Sequence, residues 1–178
     1  VLKLLNMIAP VPKITKTSMY KIALDIGADV PACLESRTVR MGGIGEQLIS
    51  IGKLPQISVL LVNPKVKLLT KDVFASVFKN NSSPFEVWQP RATAHEIFRT
   101  IGSKASNDLI GSAIKHAPAI RQVLDALDQL TGVKTIGMSG SGATCFALFD
   151  PNDTNDISIA EEIMISRGWW TAKTSLRA

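Results

Sequence analysis

The order of apolar segments in the last two thirds of the chain constrains its fold most strongly. A short apolar run at 58–62 is typical of a buried strand, and two further strands, at 134–138 and 143–149, flank a tight Ser-Gly-Ser-Gly turn. A helix at 157–166 and a strand at 169–176 follow. With helices between the first two strands, this order predicts an α+β fold, the split βαβ pattern of a ferredoxin-like domain.

Helical periodicity predicts several helices between the first two of these strands. The expected N-cap of the earliest is its first residue, Thr70, and the clearest carries an apolar stripe along one face. Residues 81–92 contain two Ser, two Pro and an Asn, which favours a loop. The predicted helices are 70–80, 95–101, 107–116 and 119–130.

The first part of the chain contains two short helical patterns. The helix predicted at 1–8 begins without a capping residue, so we expect the sequence to start within a helix of a longer chain. The second, at 19–26, has Thr17 or Ser18 as its expected N-cap. A strand-like segment at 38–41 follows, before a glycine-rich turn.

Composition narrows the class of protein. A chain of 178 residues, 46% hydrophobic and 20% charged, can bury a core, which excludes disorder. Its net charge of +5 is scattered without a basic stripe, so no nucleic-acid partner is expected. No stretch approaches the roughly 18 apolar residues of a membrane span, so no membrane partner is expected either. Cys33 and Cys145 fit neither a disulfide framework nor a metal site, which favours a reducing, cytoplasmic setting.

The turn between the two late strands carries the first chemical motif, Ser139-Gly140-Ser141-Gly142. Glycine at alternate positions lets backbone N–H groups approach a phosphate without interference from a Cβ, and serine hydroxyls add donors. The glycine spacing fits neither a Walker loop nor the GxGxxG and GxSxG motifs. The pattern favours an anion-binding loop over its alternative, a plain hairpin turn.

Asp29 is the second candidate. It follows a predicted helix within Gly27-Ala28-Asp29-Val30-Pro31 and has apolar neighbours. A carboxylate in such surroundings can accept a proton from a substrate hydroxyl, although by itself the string is more typical of a local turn. His95 and His116 have no nucleophile at a recognisable spacing and are expected to be surface or packing residues.

Taken together, three strings resemble the GHMP kinase superfamily, and Asn107-Asp108-Leu109 is also similar to it. Within it, the chain is most similar to the branch that acts in non-mevalonate isoprenoid synthesis. The resemblance implies ATP-dependent phosphorylation of the 2-hydroxyl of a cytidyl diphosphate substrate, with Mg²⁺ and without metal ligands from these residues. The three strings are Ile26-Gly27-Ala28-Asp29-Val30-Pro31, Gly43-Ile44-Gly45-Glu46 and Ser139-Gly140-Ser141-Gly142-Ala143.

The resemblance also assigns roles to single residues. It implies that Asp29 is the catalytic base for the substrate hydroxyl and that the loop Ser139, Gly140, Ser141 and Gly142 lines the phosphates. Three positions match substrate-binding positions of the family, although Lys71 stands where a proline is common there. These are Thr70 and Phe74 near the cytidine and Ile44 near the methylerythritol.

The same resemblance implies a domain organisation. Residues 1–56 would be the end of an N-terminal kinase domain and 57–178 the ferredoxin-like C-terminal domain. The superfamily's ATP-phosphate loop and catalytic lysine precede the matched region, so the 178 residues alone are expected to be inactive. A homodimer is compatible with the resemblance. Two alternatives stay open: another GHMP kinase for a small alcohol such as homoserine or mevalonate, or a non-catalytic anion-binding module of ferredoxin-like fold.

Overall fold

A computed structural model describes residues 2–8, 13–77, 92–104 and 107–176 of the chain. Almost all of the loop predicted at 81–92, and the last three residues of the helix predicted at 70–80, lie outside the described residues. The described residues divide into two structural units, the first ending at Lys53 and the second beginning at Leu54.

The first unit contains three helices and a β-hairpin. Helix α2 begins after Thr15, whose side-chain oxygen accepts a hydrogen bond of 3.1 Å from the backbone N–H of Ser18. The N-cap predicted at Thr17 or Ser18 is therefore wrong, because the helix starts earlier than its apolar face does. The elements are α1 (Leu2–Ile8), α2 (Lys16–Ile26), α3 (Val30–Glu35), β1 (Val39–Gly42) and β2 (Gln47–Ser50).

Two of these elements were not predicted from the sequence. Helix α3 was interpreted as a turn because it contains Pro31, but Pro31 lies in the first helical turn, where its missing N–H costs nothing. Strand β2 pairs antiparallel with β1, with Gly42 opposite Gln47. The glycine-rich segment between them is thus the connecting turn of a hairpin.

The second unit has the predicted ferredoxin-like order. Its four-stranded sheet has the order β4-β5-β3-β6, and every neighbouring pair is antiparallel. The predicted α+β fold and split βαβ pattern are therefore confirmed. Its elements are β3 (Ile57–Asn63), α4 (Thr70–Ala75), α5 (Ala94–Lys104), α6 (Ile110–His116), α7 (Ala119–Asp128), β4 (Thr135–Met138), β5 (Cys145–Phe149), α8 (Thr154–Ser166) and β6 (Trp170–Leu176).

Strand β3 is buried on both faces. Its residues Ile57 and Val59 pack with Ile97 of α5, whereas Leu60 and Val62 belong to a larger core that includes residues of α6, α7 and α8. Successive side chains of a strand point to opposite faces of the sheet, so the central residues 59–62, which are covered on both faces, are all apolar. Truncating the fully buried Leu60 to Ala would cost about 2–5 kcal/mol of stability.

None of the helices described here is both long and apolar enough to cross a membrane.

Candidate functional site

The loop between β4 and β5 is a closed turn with two open backbone donors. The N–H of Ser139 donates to the carbonyl of Thr144 at 2.9 Å, and the N–H of Gly142 donates to the carbonyl of Ser139 at 3.0 Å. Within the described residues, the N–H groups of Gly140 and Ser141 have no acceptor. Adjacent unpaired N–H groups in a turn can hold an anion.

The two glycines of this loop have different surroundings. Both have positive φ, +53° at Gly140 and +88° at Gly142, a region that favours glycine. A Cβ at Gly140 would meet no atom within 4 Å, whereas one at Gly142 would lie 2.9 Å from Met138 Sδ and 3.3 Å from Ile120 Cδ1. Glycine at position 142 is therefore required by the core, and the open face of the loop lies at Gly140.

Thr70 lies next to this loop. Its hydroxyl is 3.0 Å from that of Ser141, so the fold brings together a predicted substrate-binding residue and a predicted phosphate-loop residue. Thr70 is not the N-cap of α4, as its sequence position suggested, because Leu69 occupies that position and the hydroxyl bonds to the loop instead. Phe74 follows one helical turn later and is 59% exposed.

Asn107 holds the same loop from the other side. Its amide nitrogen donates to the carbonyls of Met138, at 3.0 Å, and Gly140, at 2.8 Å, and its amide oxygen accepts from the N–H of Leu109. Sequence reasoning noted the Asn107-Asp108-Leu109 string but assigned it no role. The string marked Asn107 as a residue of interest. Its hydrogen-bond partner Gly140 lies 33 residues later, so the local sequence could not show the contact.

A second amide supports the far end of the turn. Asn63, the last residue of β3, donates to the hydroxyl of Thr144 at 2.9 Å and accepts from the N–H of Lys65 at 2.7 Å. Three hydrogen-bonding side chains, from Asn63, Thr70 and Asn107, therefore connect neighbouring segments to residues 138–144. Such support keeps a binding loop in one conformation.

In the first unit, Asp29 immediately precedes α3. Its carboxylate is exposed and makes no hydrogen bond or ion pair with the described residues. The apolar enclosure expected from its neighbours is not found in this unit, where Ile26 is 61% exposed. The carboxylate can therefore accept a proton from a ligand without first breaking an internal bond.

Ile44 lies at the tip of the β1–β2 turn and is 80% exposed. The turn is closed by Glu46, whose carboxylate accepts a hydrogen bond of 2.6 Å from the N–H of Ile44. Bonds from the backbone N–H of Glu46 itself and from that of Ile44 lower the pKa of this carboxyl below its ordinary value. Gly45 of this turn approaches the carbonyl of Ala28, so Ile44 and Asp29 lie on two segments in direct contact.

The remaining candidates are possible metal ligands, the two cysteines and His116. Among the described residues, no group of three His, Cys, Asp or Glu side chains could hold a metal ion. Burial raises the pKa of the Cys145 thiol to about 12, whereas Cys33 is exposed. His116 is exposed and its Nε2 lies 2.8 Å from the hydroxyl of Ser76.

Comparisons with known proteins show which class the chain is similar to. Residues 92–163 match the family model "GHMP kinases C terminal". The chain is 40% identical over 152 residues to a 4-diphosphocytidyl-2-C-methyl-D-erythritol kinase of Ruegeria pomeroyi, covering 84% of this chain and 54% of the relative. It is 36% identical to the protein of that name in Gluconacetobacter diazotrophicus, over 95% of this chain and 54% of the relative.

Solved structures share the fold. A crystal structure of 4-(cytidine 5'-diphospho)-2C-methyl-D-erythritol kinase matches 99% of this chain and 62% of its own, with a TM-score of 0.74 and 24% identity. A homoserine kinase from Cytophaga hutchinsonii matches 92% of this chain and 58% of its own, with a TM-score of 0.59 and 15% identity. The chain spans about half the length of the curated relatives it matches.

Proposed function

We propose that the protein containing this chain phosphorylates the 2-hydroxyl of 4-diphosphocytidyl-2-C-methyl-D-erythritol with ATP, in non-mevalonate isoprenoid precursor synthesis. The observation that carries the proposal is the 36–40% identity to relatives of that name over 84–95% of this chain. Residues 1–56 would then be the end of the N-terminal kinase domain, and 57–178 the C-terminal domain. A cytoplasmic location and a homodimer stay predictions.

Asp29 would act as the base. As the 2-hydroxyl oxygen attacks the γ-phosphorus of ATP, its proton passes to the Asp29 carboxylate and the bond to the β,γ-bridging oxygen breaks, which releases ADP. Phosphoryl transfer leaves the protein little covalent work, so placing the hydroxyl in line with the γ-phosphate contributes most. The exposed carboxylate without an internal partner supports this role.

The β4–β5 loop would hold phosphate oxygens. The unpaired N–H groups of Gly140 and Ser141 are donors of the kind that bind anions, and the space beside Gly140 lets a ligand approach the backbone. Thr70 and Phe74 would contact the cytidine end of the substrate, and Ile44 its methylerythritol end.

Mg²⁺ would enter with the nucleotide. It is commonly bound through one or two carboxylates together with substrate phosphates, and it neutralises phosphate charge during transfer.

The test is a kinase assay on the complete gene product. With ATP and Mg²⁺, 4-diphosphocytidyl-2-C-methyl-D-erythritol should be converted to its 2-phosphate, detected by ³¹P NMR, and homoserine and mevalonate should not react. Asp29→Asn should lower kcat by about 10²–10⁴-fold, the range for a general base, with little change in folding. Phosphorylation of homoserine or mevalonate instead, or a normal kcat for Asp29→Asn, would contradict the assignment.

The same assay separates the remaining alternatives. A non-catalytic anion-binding module would bind phosphate or ATP but transfer no phosphoryl group to any of the three alcohols. We also propose that the 178 residues alone are inactive, because they correspond to about half of each relative. Turnover by this chain alone would contradict that part of the proposal.

A further inference from the structure

The backbone next to Asp29 is in close contact with the β1–β2 turn. A Cβ at Gly45 would lie 2.0 Å from the carbonyl oxygen of Ala28, 2.8 Å from its carbonyl carbon and 2.9 Å from its Cα. These are backbone atoms, which cannot rotate away as a side chain can. Gly45 also has φ +99°, a conformation that side chains rarely adopt. Only glycine therefore fits at this contact.

The turn that contributes Gly45 is internally braced. The N–H of Gly45 donates to the carbonyl of Gly42 at 3.2 Å, and the Glu46 carboxylate accepts from the N–H of Ile44. The strands on either side pair in register from Val39–Ser50 to Gly42–Gln47. The turn can therefore act as a rigid support for the segment it touches.

The position of Asp29 depends on that segment. The carbonyl of Ala28 belongs to the peptide group whose nitrogen is that of Asp29, so moving the carbonyl also moves the Asp29 Cα. The Asp29 carboxylate has no hydrogen bond or ion pair to the described residues that could hold it in place. Its location is set by the backbone alone, which is anchored through Val30 N to Gly27 O and Cys33 N to Asp29 O.

We infer that Gly45 is a positioning residue for Asp29, because it lets the β1–β2 turn support the Ala28–Asp29 peptide and so fixes where the base lies. This inference rests on the proposed function. A side chain at position 45 would push the Ala28 carbonyl away and displace the carboxylate from the reacting hydroxyl. Misplacement of a catalytic group by about 1 Å can cost about 10²-fold in rate.

The test compares two alanine variants in the complete gene product. Gly45→Ala should lower kcat about 10–100-fold. Gly168→Ala is the matched control: it also has positive φ, +81°, but its Cβ would meet no atom within 4 Å. Gly168→Ala should therefore keep most of the kcat, although both variants carry the same kind of backbone strain. Equal loss of kcat in the two variants would overturn the inference.

A double variant separates positioning from general damage. If Gly45→Ala acts through the base, it should reduce kcat little further in an Asp29→Asn background, because the carboxylate is already absent. A full additional loss there would mean that Gly45 acts by another route and would overturn the inference. Failure of the proposed function is distinguishable, since Asp29→Asn alone would then keep its kcat. Thermal melts of all variants correct the rates for folded protein.

Discussion

The hydroxyl oxygens of Thr70 and Ser141 lie 3.0 Å apart, although 71 residues separate them in the sequence. One is in the first turn of α4 and the other is in the loop between β4 and β5. The pair joins the two sides of the proposed substrate site within the second unit. Its disruption should therefore affect substrate binding more than catalysis.

Thr70→Val and Ser141→Ala each remove one hydroxyl of this pair. A hydrogen bond of this kind contributes about 0.5–1.5 kcal/mol net, so KM for the cytidyl substrate should rise about two- to tenfold in each variant. The double variant should be no worse than the more severe single variant, because the bond is lost once. The control is Thr100→Val, whose hydroxyl donates to the carbonyl of Glu96 within α5. If the two substitutions raised KM additively in the double variant, the two hydroxyls would act independently and not through their shared hydrogen bond.

Asn107→Ala should loosen the β4–β5 loop. It removes the donor to the carbonyls of Met138 and Gly140, which should lower the free energy of unfolding by about 1–3 kcal/mol and raise KM. Asn152→Ala is the control, since its amide bonds to Asp150 in an exposed turn and should cost less than about 0.5 kcal/mol. Urea denaturation measures the free energy of unfolding of both variants. Equal stability of the two variants would mean that Asn107 does not hold the loop.

Gly140→Ala and Gly142→Ala should separate binding from packing. At Gly142 the added methyl meets Met138 and Ile120, so about 1–3 kcal/mol of overpacking should add to the cost of positive φ. At Gly140 only the conformational cost of about 1–2 kcal/mol applies. Gly140→Ala should instead raise KM, because its methyl occupies the open face. Melting temperatures and steady-state kinetics of the two variants measure these effects. A normal KM for Gly140→Ala would mean that the loop is a plain turn and does not bind the phosphates.

Glu96 should make stability depend on pH at the start of α5. Hydrogen bonds from the N–H of Thr93, at 2.7 Å, and from its hydroxyl, at 2.9 Å, hold the pKa of Glu96 below the ordinary 4.5. A lowered folded-state pKa stabilises the fold above the unfolded value, and this contribution disappears as the pH falls through the folded-state pKa. Glu96→Gln should therefore be less stable than the natural protein at pH 7 and equally stable near pH 2. A constant difference across this range would exclude the mechanism.

Local patterns in the sequence predicted most elements of the second unit. The apolar run at 58–62 and the stripe of 119–130 are visible because burial on two faces or on one helical face leaves a periodic trace. The pair of strands β4 and β5 was visible because glycines interrupt two apolar runs. Asp29, by contrast, was a candidate from its neighbours, but only the family resemblance favoured a catalytic role over a local turn, since one carboxylate leaves no periodic signal.

The sequence did not predict elements whose local residues favour another structure, or strands that are stabilised mainly by pairing with a neighbouring strand. Pro31 suggested a turn but lies in the first turn of α3, and β2 has a weak pattern because it is stabilised by pairing with β1. Helix α4 ends at Ala75, earlier than the predicted 80, because apolar spacing does not specify where tertiary contacts stop a helix.

Sequence alone determined the fold class and the chemical character of the candidate residues, because periodicity and residue type are local properties. Tertiary structure decided which of them meet: Thr70 with Ser141, Asn107 with Gly140, and Gly45 with Ala28. It also decided that Gly142 serves the core while Gly140 stays open. These relationships depend on contacts between distant segments, and such contacts form only when the chain buries its apolar faces and brings those segments together.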